Sequence, residues 1–126
     1  MIDIDVATYL STSTSTWTLS TNMFAGNMPY TPNTCCSVTQ TQGLPPQKTT
    51  DMEFPGFQVK VRAAAYTTAQ SLINDIFDAL HRLTNTTMTG RVYYWIEAQG
   101  GPSYLGRDQA NRALFSCNFI ANKIIE

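Results

Sequence analysis

The hydrophobic period of this chain changes from two to 3.6 and back to two between residues 57 and 98, and this change limits the folds available to it. Residues 57–62 place Phe57, Val59 and Val61 alternately with polar side chains, which predicts a strand with one buried face. Residues 92–98 alternate in the same way and predict a second such strand. The segment between them has the period of an amphipathic helix.

The helical segment runs from Tyr66 to Leu83 and has one apolar stripe. The stripe consists of Ala69, Leu72, Ile73, Ile76, Phe77, Leu80 and Leu83. Thr67 or Thr68 is expected to cap its first turn, since a hydroxyl accepts from free backbone N–H groups there. Asn85-Thr86-Thr87 and Gly90 are expected to close the helix and turn the chain.

Weaker signals predict the remaining elements. The first ten residues have apolar side chains at helical spacing and predict a short opening helix. The other expectations are a loop or turn rim over Ser11–Thr16, an extended or turning segment over 22–33, a strand over Thr34–Thr41 ended by Gly43-Leu44-Pro45-Pro46, an exposed loop over 47–53, a turn or loop over Leu105–Asp108, and a long last strand over Leu114–Ile125.

Together these elements predict one domain over residues 1–126. The fold class is α+β, with a mostly antiparallel sheet packed against a long helix and a short N-terminal helix. A length of 126 residues is enough for a single core. The residues expected to share that core are Phe57, Val59, Val61, Leu72, Ile73, Ile76, Leu80, Val92, Tyr94, Ile96, Phe115 and Phe119.

The low charge of the chain narrows its function class. Only 13% of the residues are charged and the net charge is −1. Lys and Arg form no run, which disfavours an autonomous nucleic-acid-binding protein. The apolar stretches are too short to cross a bilayer, and Met1–Asp5 does not resemble a signal peptide. A lightly charged surface is typical of a protein that buries much of itself against neighbours. The alternative is an ordinary surface rich in Thr, Ser and Asn, which has the same composition.

The chain offers no set of residues for catalysis or metal binding. Cys35, Cys36 and Cys117 lack zinc-ligand spacing and are expected to be free thiols in a reducing cytosol. The single histidine, His81, is expected to be a partly exposed helix residue without an adjacent acidic or cysteine cluster. Asp75 and Asp78 are expected to form a solvated helix face. We therefore expect no catalytic residue, no metal, no cofactor and no enzyme activity.

Three segments in order resemble the small tail-terminator (minor capsid) proteins of tailed bacteriophages. These are Asn22-Met23-Phe24-Ala25-Gly26-Asn27-Met28-Pro29-Tyr30-Thr31-Pro32-Asn33, then Pro55-Gly56-Phe57-Gln58-Val59-Lys60-Val61-Arg62-Ala63, and finally Leu105-Gly106-Arg107-Asp108 with Arg112, Phe115 and Asn118-Phe119. The resemblance covers nearly the whole chain.

The resemblance implies a structural virion protein. Such proteins form a ring, usually of six copies, on the head-proximal end of the tail tube. The ring stops tube polymerisation and contacts the head connector or stopper protein. Its implied partners are further copies of itself, the tail tube protein and the connector, with DNA passing through without sequence-specific binding. No membrane is involved, and the implied location is the phage tail or neck, assembled in the host cytoplasm.

Four residues are predicted to form a subunit or partner interface: Leu105, Arg107, Asp108 and Arg112. Arginine favours such contacts because its planar guanidinium binds carboxylates through two hydrogen bonds. An alternative is a local salt bridge that shapes the turn before the last strand. Two other functions also stay open: another head–tail completion (stopper) protein, and a small ligand- or peptide-binding module with an apolar pocket.

Overall fold

The computed structural model describes residues 2–14, 16–45 and 51–124, and these form an α+β fold dominated by strands. The elements in chain order are α1 (Ile2–Ser13), β1 (Met23–Ala25), β2 (Cys35–Leu44), β3 (Met52–Ala63), α2 (Tyr66–Leu80), β4 (Leu83–Met88), β5 (Arg91–Ala98), β6 (Ser103–Arg107) and β7 (Ala113–Ile124).

Strand β7 is the centre of a single mixed sheet. The strand order is β1-β2-β3-β7-β5-β4, and β6 also pairs with β7. One edge of β7 pairs with β3 along its length, and the other pairs with β6 and then with β5. All of these pairings are antiparallel, whereas β1 and β2 run parallel. The predicted, mostly antiparallel sheet is confirmed.

One face of this sheet carries the core. Phe57 lies opposite Phe119 across β3 and β7, and their rings stack with centroids 5.1 Å apart. The same cluster contains Ile73 and Ile76 of α2 and Leu10 of α1. Both helices therefore cover the same face of the sheet, because one core contains their apolar stripes and the inward residues of the strands.

Most of the predicted core is confirmed. The buried members are Phe57, Val59, Val61, Ile73, Ile76, Leu80, Ile96, Phe115 and Phe119, and Leu72 packs against them while partly exposed. Val92 is 45% exposed, and Tyr93 is buried in its place. The pairing of β5 with β7 shifts register between Tyr93 and Trp95, so strict alternation from Ile96 back to Val92 fails. For the same reason Tyr94 is only partly buried.

Helix α2 is shorter than predicted, and the expectation of a long helix is not confirmed. It has 15 residues and ends at Leu80, and Leu83 belongs to β4. The Asn85-Thr86-Thr87 segment is also part of β4 rather than a helix terminator. Thr89 and Gly90 both have positive φ, which suits the tight turn that joins β4 to β5.

The predicted cap of α2 is also wrong. The N-cap residue is Ala65, and no side chain caps the first turn. Thr67 and Thr68 lie inside the helix, two and three residues after the N-cap position from which a hydroxyl group could accept from its first N–H groups. The stability of α2 therefore comes mainly from its buried stripe.

Strand β2 ends later, and β3 begins earlier, than the turn residues indicated. Gly43 stays within β2, and Met52 and Glu53 begin β3 instead of lying in a loop. At Gly43, where φ is +67°, a Cβ atom would lie 2.3 Å from the carbonyl oxygen of Phe54. Glycine at this position permits an irregular but continuous pairing of the two strands. Pro46 and residues 47–50 lie outside the described residues.

Candidate subunit interface

The segment predicted as an interface loop is largely a strand. Leu105, Gly106 and Arg107 belong to β6, so the expected loop over Leu105–Asp108 is wrong for these three residues. Gly106 has a φ of +102°, and the pairing with β7 shifts register beside it. Sequence reasoning took this glycine as a loop signal because a glycine bulge and a loop have the same local signature.

An aromatic cluster packs β6 against α2 and β7. The Tyr66 and Tyr104 rings meet edge to face with centroids 5.0 Å apart. Phe115 of β7 lies 5.1 Å from the Tyr66 ring and 5.2 Å from the Tyr104 ring. This packing joins β6 to the first turn of α2 and to the central strand β7, so two other elements hold the segment.

Asp108 organises the turn that follows β6. One carboxylate oxygen accepts hydrogen bonds from the backbone N–H groups of Ala110 (3.0 Å) and Arg112 (2.9 Å). The other accepts from Nε of Arg112 at 2.8 Å. The pKa of Asp108 lies below its ordinary value, chiefly because the backbone N–H of Arg112 binds the ionised form and further because the guanidinium pairs with it. The local salt bridge is therefore present between Asp108 and Arg112.

Arg112 also reaches away from this turn. Its residue is only 4% exposed, and its guanidinium lies 4.6 Å from the centroid of the Tyr30 ring. Nη1 donates to the carbonyl oxygen of Tyr30 and, at 3.4 Å, to the side-chain oxygen of Asn33. Arg112 thus connects the turn after β6 to residues 30–33, which we call the strap.

A second buried arginine, Arg62, holds the same strap. Its Nη2 donates to the carbonyl oxygens of Tyr30 (3.1 Å) and Pro32 (2.6 Å), and its Nε donates to that of Asn33 (3.3 Å). Strap carbonyls have no strand partner, and two guanidinium groups supply the donors that a sheet would otherwise provide. The burial of Cys35 beside these arginines raises the pKa of its thiol, and their charges act against that increase.

Sequence reasoning missed the contribution of Arg62 and the strap. Arg62 follows the alternation of β3 on its polar face, where the pattern indicated solvent or a partner molecule. No local signal distinguishes an arginine that faces solvent from one covered by a segment 30 residues earlier. The two prolines of the 22–33 segment predicted irregular backbone, but not what satisfies its carbonyl groups.

Leu105 and Arg107 differ from the two buried arginines because they face outward. Leu105 is 50% exposed and Arg107 is also exposed. Arg107 Nη1 donates to the carbonyl oxygens of Asn111 (2.8 Å) and Ala64 (3.3 Å). These bonds occupy two of its five N–H donors and fix the position of the group. Arg107 and Asp108 are neighbours in sequence but bind different partners.

Residues considered for chemistry have structural partners instead. His81 stacks on Phe77 with ring centroids 5.0 Å apart, and its Nδ1 accepts a hydrogen bond from the backbone N–H of Ala98. Cys35, Cys36 and Cys117 are free and buried, and burial raises the pKa of the Cys117 thiol to about 11. Among the described residues, no three His, Cys, Asp or Glu side chains cluster as metal ligands.

The fold and this surface define a small, sheet-rich α+β domain. Within residues 2–14, 16–45 and 51–124, no helix is long and apolar enough to span a membrane. A family model described as bacteriophage tail terminator protein matches residues 5–125. The chain therefore belongs to the bacteriophage tail terminator family, whose members are structural proteins of the phage tail. No curated protein matches the sequence.

Proposed function

We propose that this chain forms a ring, of six copies, on the head-proximal end of the tail tube. There it stops tube polymerisation and provides the contact surface for the head connector or stopper protein. DNA passes through the ring without sequence-specific contacts, and assembly takes place in the host cytoplasm. Membership of the tail terminator family supports this proposal, together with the outward-facing β6 segment.

The observation that carries the proposal is that β6 is held in place by contacts within its own chain, while side chains of the same strand face solvent. The aromatic cluster and the Asp108–Arg112 pair hold the segment from within the chain. Leu105 and Arg107 nevertheless remain exposed. An ordered surface loses little conformational entropy on association, so an apolar side chain on a supported strand, beside a cation held by two hydrogen bonds, suits a protein contact.

The four interface residues have two kinds of function in this proposal. Leu105 and Arg107 contact a neighbouring subunit, and Asp108 and Arg112 hold them in place without reaching the neighbour. No catalysis is involved. His81→Ala removes the stacking on Phe77 and the hydrogen bond from Ala98, so it is expected to lower stability. Protein that remains folded should still assemble into rings of subunits.

Native mass spectrometry of the purified protein, alone and mixed with tail-tube subunits, tests the proposal. We expect the mass of a hexamer, either for the protein alone or only when it is bound to tube ends. In the mixture, tubes that carry the protein should stop growing. A protein that remains monomeric in both conditions, while tubes continue to grow, contradicts the ring proposal.

A further inference from the structure

The two helices and the sheet differ in charge. Every Lys and Arg of the chain lies at or after Lys48, and neither α1 nor α2 contains one. The helices instead carry aspartates, of which Asp75 and Asp78 are exposed on α2. The exposed arginines of the described residues, Arg82 and Arg107, both lie outside the helices. One layer of the domain is therefore acidic at its surface, and the other presents the cations.

The acidic layer also has an apolar groove. A cavity of about 260 Å³ opens between the end of α1 and the middle of α2. Most of its lining is apolar, and the lining residues are Leu10, Trp17, Leu72, Ile76 and Ala79 together with Thr14, Thr16 and Asp75. The carboxylate of Asp75 is the charged group among these lining residues, and it belongs to an exposed residue. An apolar recess with one anion suits an apolar side chain that lies next to a cation.

The β6 segment of the same chain has the complementary pair. Leu105 is 50% exposed and lies two residues from the exposed Arg107. Arg82 is a weaker candidate, because it lines a separate recess together with the carboxylate of Glu97. Arg107 is bonded only to carbonyl oxygens, which leave its positive charge uncompensated.

We infer that the groove between α1 and α2 receives Leu105 and Arg107 of a second copy of this chain. Leu105 enters the apolar recess, and Arg107 pairs with Asp75 at its edge. The groove and β6 are different surfaces of one subunit, so the contact is head to tail and leaves each subunit able to bind two neighbours. This inference rests on the proposed ring and assigns the two surfaces that build it.

A head-to-tail contact can be tested by mixing two variants that each fail alone. Arg107→Glu places a carboxylate against Asp75 in every self-contact, and Asp75→Lys places an ammonium group against Arg107. We expect each purified variant to associate at least about tenfold more weakly than the wild type, because like charges meet at a desolvated contact. Mixed one to one, Glu at position 107 meets Lys at position 75, and Arg107 meets Asp75, so association is restored.

Native mass spectrometry and sedimentation velocity measure the outcome. The expected mixture contains assemblies in which the two variants alternate. Arg82→Glu and Glu97→Lys are matched controls with the same charge changes on exposed residues elsewhere, and both are expected to assemble as the wild type does. Circular dichroism and thermal unfolding establish that each variant is folded, and Leu105→Ser tests the apolar half of the contact without changing charge.

The results separate this inference from the ring proposal. If the wild type forms rings and each folded variant also forms them alone, the assignment of these two surfaces is wrong and the ring proposal stands. The same conclusion follows if both variants fail alone but their mixture does not recover. A wild type that never associates, alone or with tail-tube subunits, overturns both.

Discussion

Arg112 and Arg107 lie five residues apart, yet they act in different ways. Arg112 is 4% exposed and binds Asp108, Tyr30 and Asn33 within its own chain. Arg107 is exposed and is bonded only to two carbonyl oxygens. One guanidinium is committed to folding, and the other has a charge available to a partner. Burial and bonding partners, rather than residue type, decide which function an arginine has.

The largest expected effect is on the buried arginine. Arg112→Met removes the cation that Asp108 and the strap both contact, and it leaves polar groups without donors. We expect the free energy of unfolding to fall by about 3 kcal/mol, as for other partly buried ion pairs that lose one member. Urea denaturation followed by circular dichroism measures this, and a loss below about 0.5 kcal/mol would show that the contacts are not important for stability.

Arg62 offers an independent test of the strap. Arg62→Met removes the donors to the carbonyl oxygens of Tyr30, Pro32 and Asn33, and we expect a loss of about 2 kcal/mol. The strap is also expected to open more often, so the buried thiol of Cys35 should react faster with a thiol reagent under native conditions. Alkylation followed by peptide mass spectrometry measures the rate, with Cys36 as an internal control. Equal protection of Cys35 in both proteins would contradict this arrangement.

The Asp108–Arg112 pair makes stability depend on pH. Because the folded-state pKa of Asp108 is lowered from 3.8, its ionised form stabilises the fold above that value. This contribution is lost as the pH falls through the lower, folded-state pKa. Asp108→Asn should therefore be less stable than the wild type at pH 7, and the difference should shrink below pH 3.8. Thermal unfolding over this range tests the sign, and a difference that grows with acid would refute it.

The smallest effect on stability is expected at Arg107. Arg107→Met keeps much of the side-chain volume. It removes a solvated charge and two exposed hydrogen bonds whose carbonyl oxygens water can reach, so the free energy of unfolding should change by less than about 0.5 kcal/mol. Ring assembly by Arg107→Met should nevertheless weaken, although the protein stays as stable as the wild type. In Arg112→Met, by contrast, the main effect is the loss of stability. Unfolding and native mass measurements on the same samples separate the two effects. A stability loss as large as that of Arg112→Met would remove the distinction between the two arginines.

The sequence determined the parts of the fold that depend on local periodicity. Residues 57–62 and 92–98 alternate and lie in β3 and β5, and most of the segment predicted as a helix over Tyr66–Leu83 forms α2. The strands that the prediction omitted, β1, β4 and β6, have three to six residues. Strands this short repeat the two-residue period too few times to be recognised from sequence, and pairing with a neighbouring strand determines that they form. The missing β4 also explains why α2 was predicted to be too long.

Tertiary structure alone decided which of the predicted interface residues remain available to a partner. The sequence shows Leu105, Arg107, Asp108 and Arg112 as one short segment after a glycine-rich break. The fold places the strap on the Arg112 guanidinium, although Asn33 of the strap lies 79 residues before Arg112 in sequence, and it leaves Arg107 uncovered. A local pattern specifies the charge of a side chain, but its burial depends on chain segments far away in sequence, and burial determines whether that charge stabilises the fold or meets another molecule.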